Sequence, residues 1–216
     1  MKNIVVLISG RGSNLEALLQ AAAAENWQST LDAAIVAVIS NRAEAAGLAV
    51  AKRAGIATAV VDHRGYGGRP EFESALAHEI DGHHPALVVL AGFMRVLTPD
   101  FVRRYSGRLV NIHPSLLPLF PGLHTHRQAL ASGVRVHGAT VHFVSEDVDA
   151  GGIIAQAVVA VDPDDDEASL AARVLQQEHR LLPRAVRLVL EERVRYVDGR
   201  AVARDASVTD LVMMAA

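Results

Sequence analysis

Five short apolar runs recur along the first half of the chain: Ile4 to Ile8, Ala34 to Ile39, Thr58 to Val61, Ala86 to Leu90 and Leu109 to Ile112. None keeps the strict apolar–polar alternation of a strand with one wet face. A strand that is apolar on both faces must be covered on both, which is the situation of a parallel sheet sandwiched by helices. The segments between the runs supply those helices. Leu15, Leu18, Leu19 and Ala22 recur at helical spacing, Ala45 to Arg53 is a second helix with Gly55 past its end as a cap, and Phe72 to Ile80 is a third. A short helix is expected from about Pro99 to Tyr105, and the glycine-rich stretch from His63 to Pro70 reads as a loop. The pattern predicts an α/β fold built on an open, mostly parallel twisted sheet with helices on both faces.

After Pro121 the pattern changes. A helix from about Thr125 to Ala131 precedes two strands, Val136 to Val144 and Ile153 to Val161, whose connection is too short for a crossover helix. These two are therefore expected to be antiparallel, which places antiparallel strands in the C-terminal half. The run Asp162 to Asp166 reads as an acidic turn and cap for a long helix from about Glu167 to Glu191. A small hairpin around Asp198-Gly199 and a mobile tail are expected at the end.

The 216 residues suit one large domain or two small halves sharing a sheet, with half the residues apolar and a net charge of −3. No block of lysines or arginines marks a nucleic-acid footprint, and Ile4 to Ile8 is too short for a membrane span. Cysteine is absent, which excludes disulfides and thiolate metal sites. A soluble cytoplasmic protein with neither a nucleic-acid nor a membrane partner is expected.

Two features point to bound ligands. Ser9-Gly10-Arg11-Gly12-Ser13-Asn14 joins the first strand to the first helix. Glycines there would let the backbone approach a phosphate at the helix start, and Ser13 or Asn14 could cap the helix. The third glycine of a dinucleotide fingerprint and the P-loop lysine are both missing, so a mononucleotide or sugar phosphate fits better. An ordinary glycine turn explains the same residues. The other feature is Glu178, which falls on the apolar stripe of the long helix between Val174 and Leu182. A carboxylate there must reach a ligand or water, or be paired with an arginine. Pro183 adds a local break in that helix.

The segment Asn111 to His126 reads NIHPSLLPLFPGLHTH. Asn111 and His113 close the fifth strand on the same side of the chain, at the strand end where open α/β sheets bind ligands. An amide can hold a developing oxyanion and an imidazole can move or donate a proton, which suits acyl transfer. His124 and His126 lie at a helix start where residues two apart do not share a face, so a metal is not expected. Ser145 to Gly152 carries Glu146, Asp147 and Asp149 without the EF-hand pattern. A carboxylate from it beside His113 would hold the ring's tautomer and favour the imidazolium.

NIHPSLLP (Asn111 to Pro118) followed by the DVDAGG turn (Asp147 to Gly152) resembles the formyltransferases that use 10-formyltetrahydrofolate. The continuation LFPGLHTHRQAL is similar to the phosphoribosylglycinamide formyltransferase branch of purine synthesis, and IVVLISGRGSNLEAL, VVLAGFMRVL, HGATVHFV and QQEH match the same family. The resemblance implies a Rossmann-like fold in a single formyltransferase domain. Residues 1–105 would form a nucleotide-phosphate half, residues 106–195 a catalytic and folate-binding half, and residues 196–216 a tail. It implies that Asn111, His113 and Asp149 are catalytic, that Gly12, Ser13, Asn14 and Glu178 bind the nucleotide substrate, and that Arg69, Met94, Arg95, Val96, Leu97, Asn111 and Val144 bind the folate. The match at Arg69, within GYGGRPEF, is looser. The lysine often found after LLP is Leu119 here, and the sequence beyond Tyr196 diverges.

The implied reaction transfers a formyl group from 10-formyltetrahydrofolate, as co-substrate and without a metal, to glycinamide ribonucleotide. Asn111 and a protonated His113 would meet the oxyanion, and Asp149 would support His113 and order a water. Monomer and homodimer both remain open. Two other readings are hydrolysis of the formylfolate and a non-catalytic nucleotide-binding protein on the same fold.

Overall fold

The computed structural model describes residues 1–214 and divides the chain into two compact units, Met1–Asn111 and Ile112–Ala216. The last residues of the expected tail, Ala215 and Ala216, lie outside the described residues.

In the first unit the apolar runs are strands. β1 (Lys2–Ile8), β2 (Ala33–Ser40), β3 (Ala57–Val60), β4 (Pro85–Leu90) and β5 (Leu109–His113), whose last two residues pass into the second unit, alternate with helices α1 (Ser13–Ala24), α2 (Trp27–Thr30), α3 (Ala46–Arg53), α4 (Arg69–Asp81) and α5 (Pro99–Arg104). Every strand pair here is parallel, in the order β3-β2-β1-β4-β5. This is the Rossmann-like order, and β1 and β4 flank the point where it reverses. Ile4, Val5, Val6, Leu7 and Ile8 are fully buried, as two-sided coverage demands. Two expectations need correction. Arg69 does not lie in the glycine-rich loop; it opens α4, because Pro70 is pre-set for a first helical turn. Part of that loop is a 3-10 turn, His63–Gly65, whose Arg64 N–H is held by the Asp62 carboxylate.

The second unit contains α6 (Thr125–Ala131), β6 (Val136–Phe143), β7 (Ile153–Ala160), α7 (Glu167–Leu190), β8 (Val194–Val197), β9 (Arg200–Ala203), α8 (Val208–Leu211) and β10 (Val212–Met214). β6 and β7 pair antiparallel, as their short connection requires, and α7 lies against both. α7 starts at a capping box in which Asp166 accepts from Ser169 N–H at 2.7 Å and the Ser169 hydroxyl accepts from Asp166 N–H at 3.0 Å. The helix runs on through Pro183, so the expected break does not interrupt it. The hairpin at Asp198-Gly199 forms. The chain after it does not trail away. Ser207 and Asp210 build a second capping box, and β10 pairs parallel with β7. Arg184 and Arg193 both bind Asp210, an ionic anchor that no residue spacing signals.

Candidate active site

The turn after β1 is held open by its neighbours. Gly12 caps α1 at φ +82°, and a Cβ there would meet Gly47 Cα at 2.5 Å. Gly47 N–H donates to Gly10 O at 3.0 Å, so α3 presses the loop into shape. Ser13 and Asn14 are the first residues of α1; contrary to expectation neither caps it, because Gly12 occupies the capping position. The start of α1 therefore presents its first-turn backbone with no side-chain cap, an arrangement suited to an anion.

The segment after β4 contains Met94, Arg95, Val96 and Leu97. Met94 and Val96 are exposed and Leu97 is buried. Ser9, at the end of β1, fixes this segment to the phosphate turn. Its N–H donates to Gly92 O at 3.1 Å, its hydroxyl donates to Asn41 Oδ1 at 2.6 Å, and the same hydroxyl accepts Met94 N–H at 2.8 Å. Sequence reasoning missed this role of Ser9, since a serine before a glycine looks like any turn residue. It also missed Glu73, a buried carboxylate on α4 that accepts Thr98 N–H at 2.9 Å and the Thr98 hydroxyl. Arg69 is exposed, near the start of the same helix.

Asn111 and His113 stand two positions apart on β5, which aims both to one side of the strand. His113 is 5% exposed. Its Nε2 lies 3.0 Å from Phe120 O. A carbonyl only accepts, so Nε2 carries a hydrogen there. Its Nδ1 faces Asp149 Oδ2 at 3.4 Å, and Asp149 Oδ2 also accepts Gly122 N–H at 2.8 Å. A second proton on the ring makes an imidazolium directed at that carboxylate. The sequence did not single out a second imidazole here: His142 Nε2 lies 3.8 Å from Asp149 Oδ1. Its Nδ1 donates to Phe143 O at 2.9 Å, and burial lowers its pKa.

The loop after His113 is fastened from within the second unit. Thr140 donates its hydroxyl to Ser115 O at 2.7 Å and accepts Leu117 N–H at 3.0 Å, while Gln156 Nε2 donates to Leu117 O at 2.9 Å. Thr125 Oγ1 donates to Pro114 O at 2.7 Å. His124 caps α6 at φ 59° and His126 lies within it. His126 stacks edge-on with His137 of β6, their centroids 5.3 Å apart. Val144 follows β6 directly, half-buried, and Glu178 is 8% exposed on α7.

The model of the formyl transferase family matches residues 2–186. The chain belongs to that family. Phosphoribosylglycinamide formyltransferase of Escherichia coli (strain K12) is 48% identical over 92% of this chain and 94% of its own length. Among solved structures, glycinamide ribonucleotide transformylase 1 from Symbiobacterium toebii superposes with a TM-score of 0.89 at 43% identity, covering 95% of both chains. A formyltetrahydrofolate deformylase from Pseudomonas syringae reaches 0.84 at 32% identity, over 94% of this chain and 66% of that one. The formyl transferase model thus spans the segments after β1 and β4, the Asn111–His113 strand and Asp149, and it stops short of β8, β9 and β10.

Proposed function

We propose that this chain transfers the formyl group of 10-formyltetrahydrofolate to the amine of glycinamide ribonucleotide, giving formylglycinamide ribonucleotide and tetrahydrofolate in purine synthesis. The observation that supports it most is Asp149 Oδ2 set 3.4 Å from Nδ1 of a buried His113, at the end of the strand that carries Asn111. The formyl carbon is already activated on the folate nitrogen, so the protein's work is to bind, orient and manage charge and protons.

Asn111 supplies an amide donor for the oxyanion that develops when the amine adds to the formyl carbon. His113, its ring nitrogens directed at Phe120 O and Asp149, supplies a positive charge in the same place once protonated. Asp149 faces that charge, fixes the ring and orders the water through which the amine proton leaves. Gly12, Ser13 and Asn14 hold the nucleotide phosphate, and Glu178 contacts the ribonucleotide. Met94, Arg95, Val96, Leu97 and Val144 line the folate, with Arg69 as an outer contact. On this reading the partners are the two substrates alone, and the protein is a cytoplasmic monomer or homodimer that needs no metal.

Hydrolysis of the formylfolate is disfavoured. The deformylase likeness is lower in identity and covers two thirds of its own chain, while the transferase relative is covered almost end to end. A non-catalytic nucleotide-binding protein would have no use for the His113–Asp149 pair. Formyl transfer to glycinamide ribonucleotide, followed with and without the nucleotide, tests the reading. Tetrahydrofolate should appear only with nucleotide present, and formate release in its absence would sink the transferase assignment. His113→Ala and Asp149→Ala should each lower turnover by roughly a hundredfold or more, with nucleotide affinity retained. Near-normal turnover in either variant would remove the mechanism.

A further inference from the structure

We propose that the β8–β9 hairpin is a positioning element for Asp149, acting through Tyr196 and Gly152. The inference rests on the reading of Asp149 as a catalytic group. The hairpin, with Tyr196, lies beyond the 2–186 span of the family model, while Asp149 and Gly152 lie within it.

Asp149 sits in the turn between β6 and β7 with φ +53°. A non-glycine residue pays for that left-handed conformation and keeps it only when the surroundings hold it there. The exit of the turn is where the holding occurs. A Cβ on Gly151 would meet Phe143 O at 1.8 Å, and a Cβ on Gly152 would meet Ala201 N at 2.3 Å and Arg200 Cα at 3.1 Å. The backbone leaving the turn is therefore wedged between the end of β6 and the backbone of β9, with no room for a side chain at either position. Phe143 N–H donates to Gly152 O at 2.9 Å, closing the turn. On its other side the fully buried Phe143 ring packs against Tyr196 of β8, with centroids 5.3 Å apart. Each strand of the hairpin thus touches one wall of the turn.

The hairpin is itself firmly mounted. Arg193 N–H donates to Leu188 O at 2.9 Å, which ties its start to α7, and Arg204 N–H donates to Arg193 O at 2.7 Å across its base. The Arg193 guanidinium donates to Asp205 O at 2.9 Å and to the Asp210 carboxylate at 2.7 Å. A support fixed at its base and pressed against a strained turn sets where the Asp149 carboxylate lies relative to His113. Displacements of about an ångström at reacting groups cost on the order of a hundredfold in rate.

The test compares Tyr196→Ala, Tyr196→Phe, Gly152→Ala and Asp149→Asn in the full-length chain, using steady-state formyl transfer and thermal melting. Tyr196→Ala and Gly152→Ala should lower kcat by about tenfold to a hundredfold, with KM for the nucleotide unchanged. Tyr196→Phe, which keeps the ring, should retain wild-type kcat. Added to Asp149→Asn, Tyr196→Ala should lower kcat no further, because the group it positions is already gone. A general loss of structure would instead add its cost in that background. If Gly152→Ala does not fold, Tyr196→Ala decides alone. Wild-type kcat in folded Tyr196→Ala, or an equal loss in Tyr196→Phe, would overturn the proposal while leaving the role of Asp149 intact. Full turnover in Asp149→Asn would instead remove the catalytic reading on which it rests.

Discussion

A methyl group added at position 12 has nowhere to go. It would lie 2.5 Å from Gly47 Cα, and the residue already sits at φ +82°, where a side chain costs about 1–2 kcal/mol before any clash. Gly12→Ala should therefore push α1 away from α3, lower the melting temperature and weaken glycinamide ribonucleotide binding by roughly tenfold or more, as read by calorimetric titration. Unchanged affinity in a folded variant would mean that the turn does not hold the phosphate. The need for glycine at this position was legible in the sequence as a phosphate-loop signal, but its cause was not. The partner Gly47 is an unremarkable helix residue until α3 is placed beside the loop. Residues with chemistry on a recognisable line were legible in the same way. Asn111 and His113 announced themselves by lying at a strand end, and Glu178 by standing on an apolar stripe. Asp149 was one of three acidic residues in a turn, and only the family resemblance separated it from Glu146 and Asp147. Ser9 and Glu73 were missed because their partners, Asn41, Met94 and Thr98, are remote in sequence and carry no periodic signal.

At the scale of elements, patterning succeeded where one face or both had to be buried. The five parallel strands, the antiparallel β6–β7 pair and the long α7 all follow from apolar runs and connection lengths. Expectation failed where order comes from hydrogen bonds between polar groups. The chain after Ala203 holds only the short apolar run Leu211 to Met214 and was expected to be mobile, yet Ser207, Asp210, Arg184 and Arg193 assemble a short capped helix that delivers β10 to the edge of β7. The start of α7 is organised by the same physics. Asp166 closes a capping box with Ser169, and Arg173 gathers Asp162 and Asp165 beside it. Because Asp166 accepts orphan N–H groups at the positive end of a helix that lines β6 and β7, Asp166→Ala should lower the melting temperature by a few degrees, and Asp166→Ser should restore most of the loss. No difference between Ala and Ser at this position would show that the cap contributes nothing to stability.

For the molecule as a whole, acid should act unevenly along the chain. His126, His137 and His142 all belong to the second unit, and each has its pKa lowered, in every case chiefly by burial. His137 is the clearest case. It is 1% exposed, its ring nitrogens make no well-formed hydrogen bond, and its pKa falls to about 4 against an ordinary 6.5. The nearby Pro114 carbonyl offsets part of the burial cost, whereas the neighbouring His126 and His113 add to it. The sign follows from proton binding. Between pH 6.5 and about 4 the unfolded chain holds a proton on this ring and the folded chain does not. Acidification in that window therefore favours unfolding, and the neutral ring's contribution is complete only above pH 6.5. Lowering the pH from neutral to 5 should thus loosen the second unit preferentially. Hydrogen exchange should show protection in residues 112–214 falling on the order of tenfold more than in residues 1–111. His137→Gln, which cannot titrate, should remove much of that difference. Equal loss in the two units, or an unaltered difference in His137→Gln, would show that the buried imidazoles do not set the acid limit of this fold.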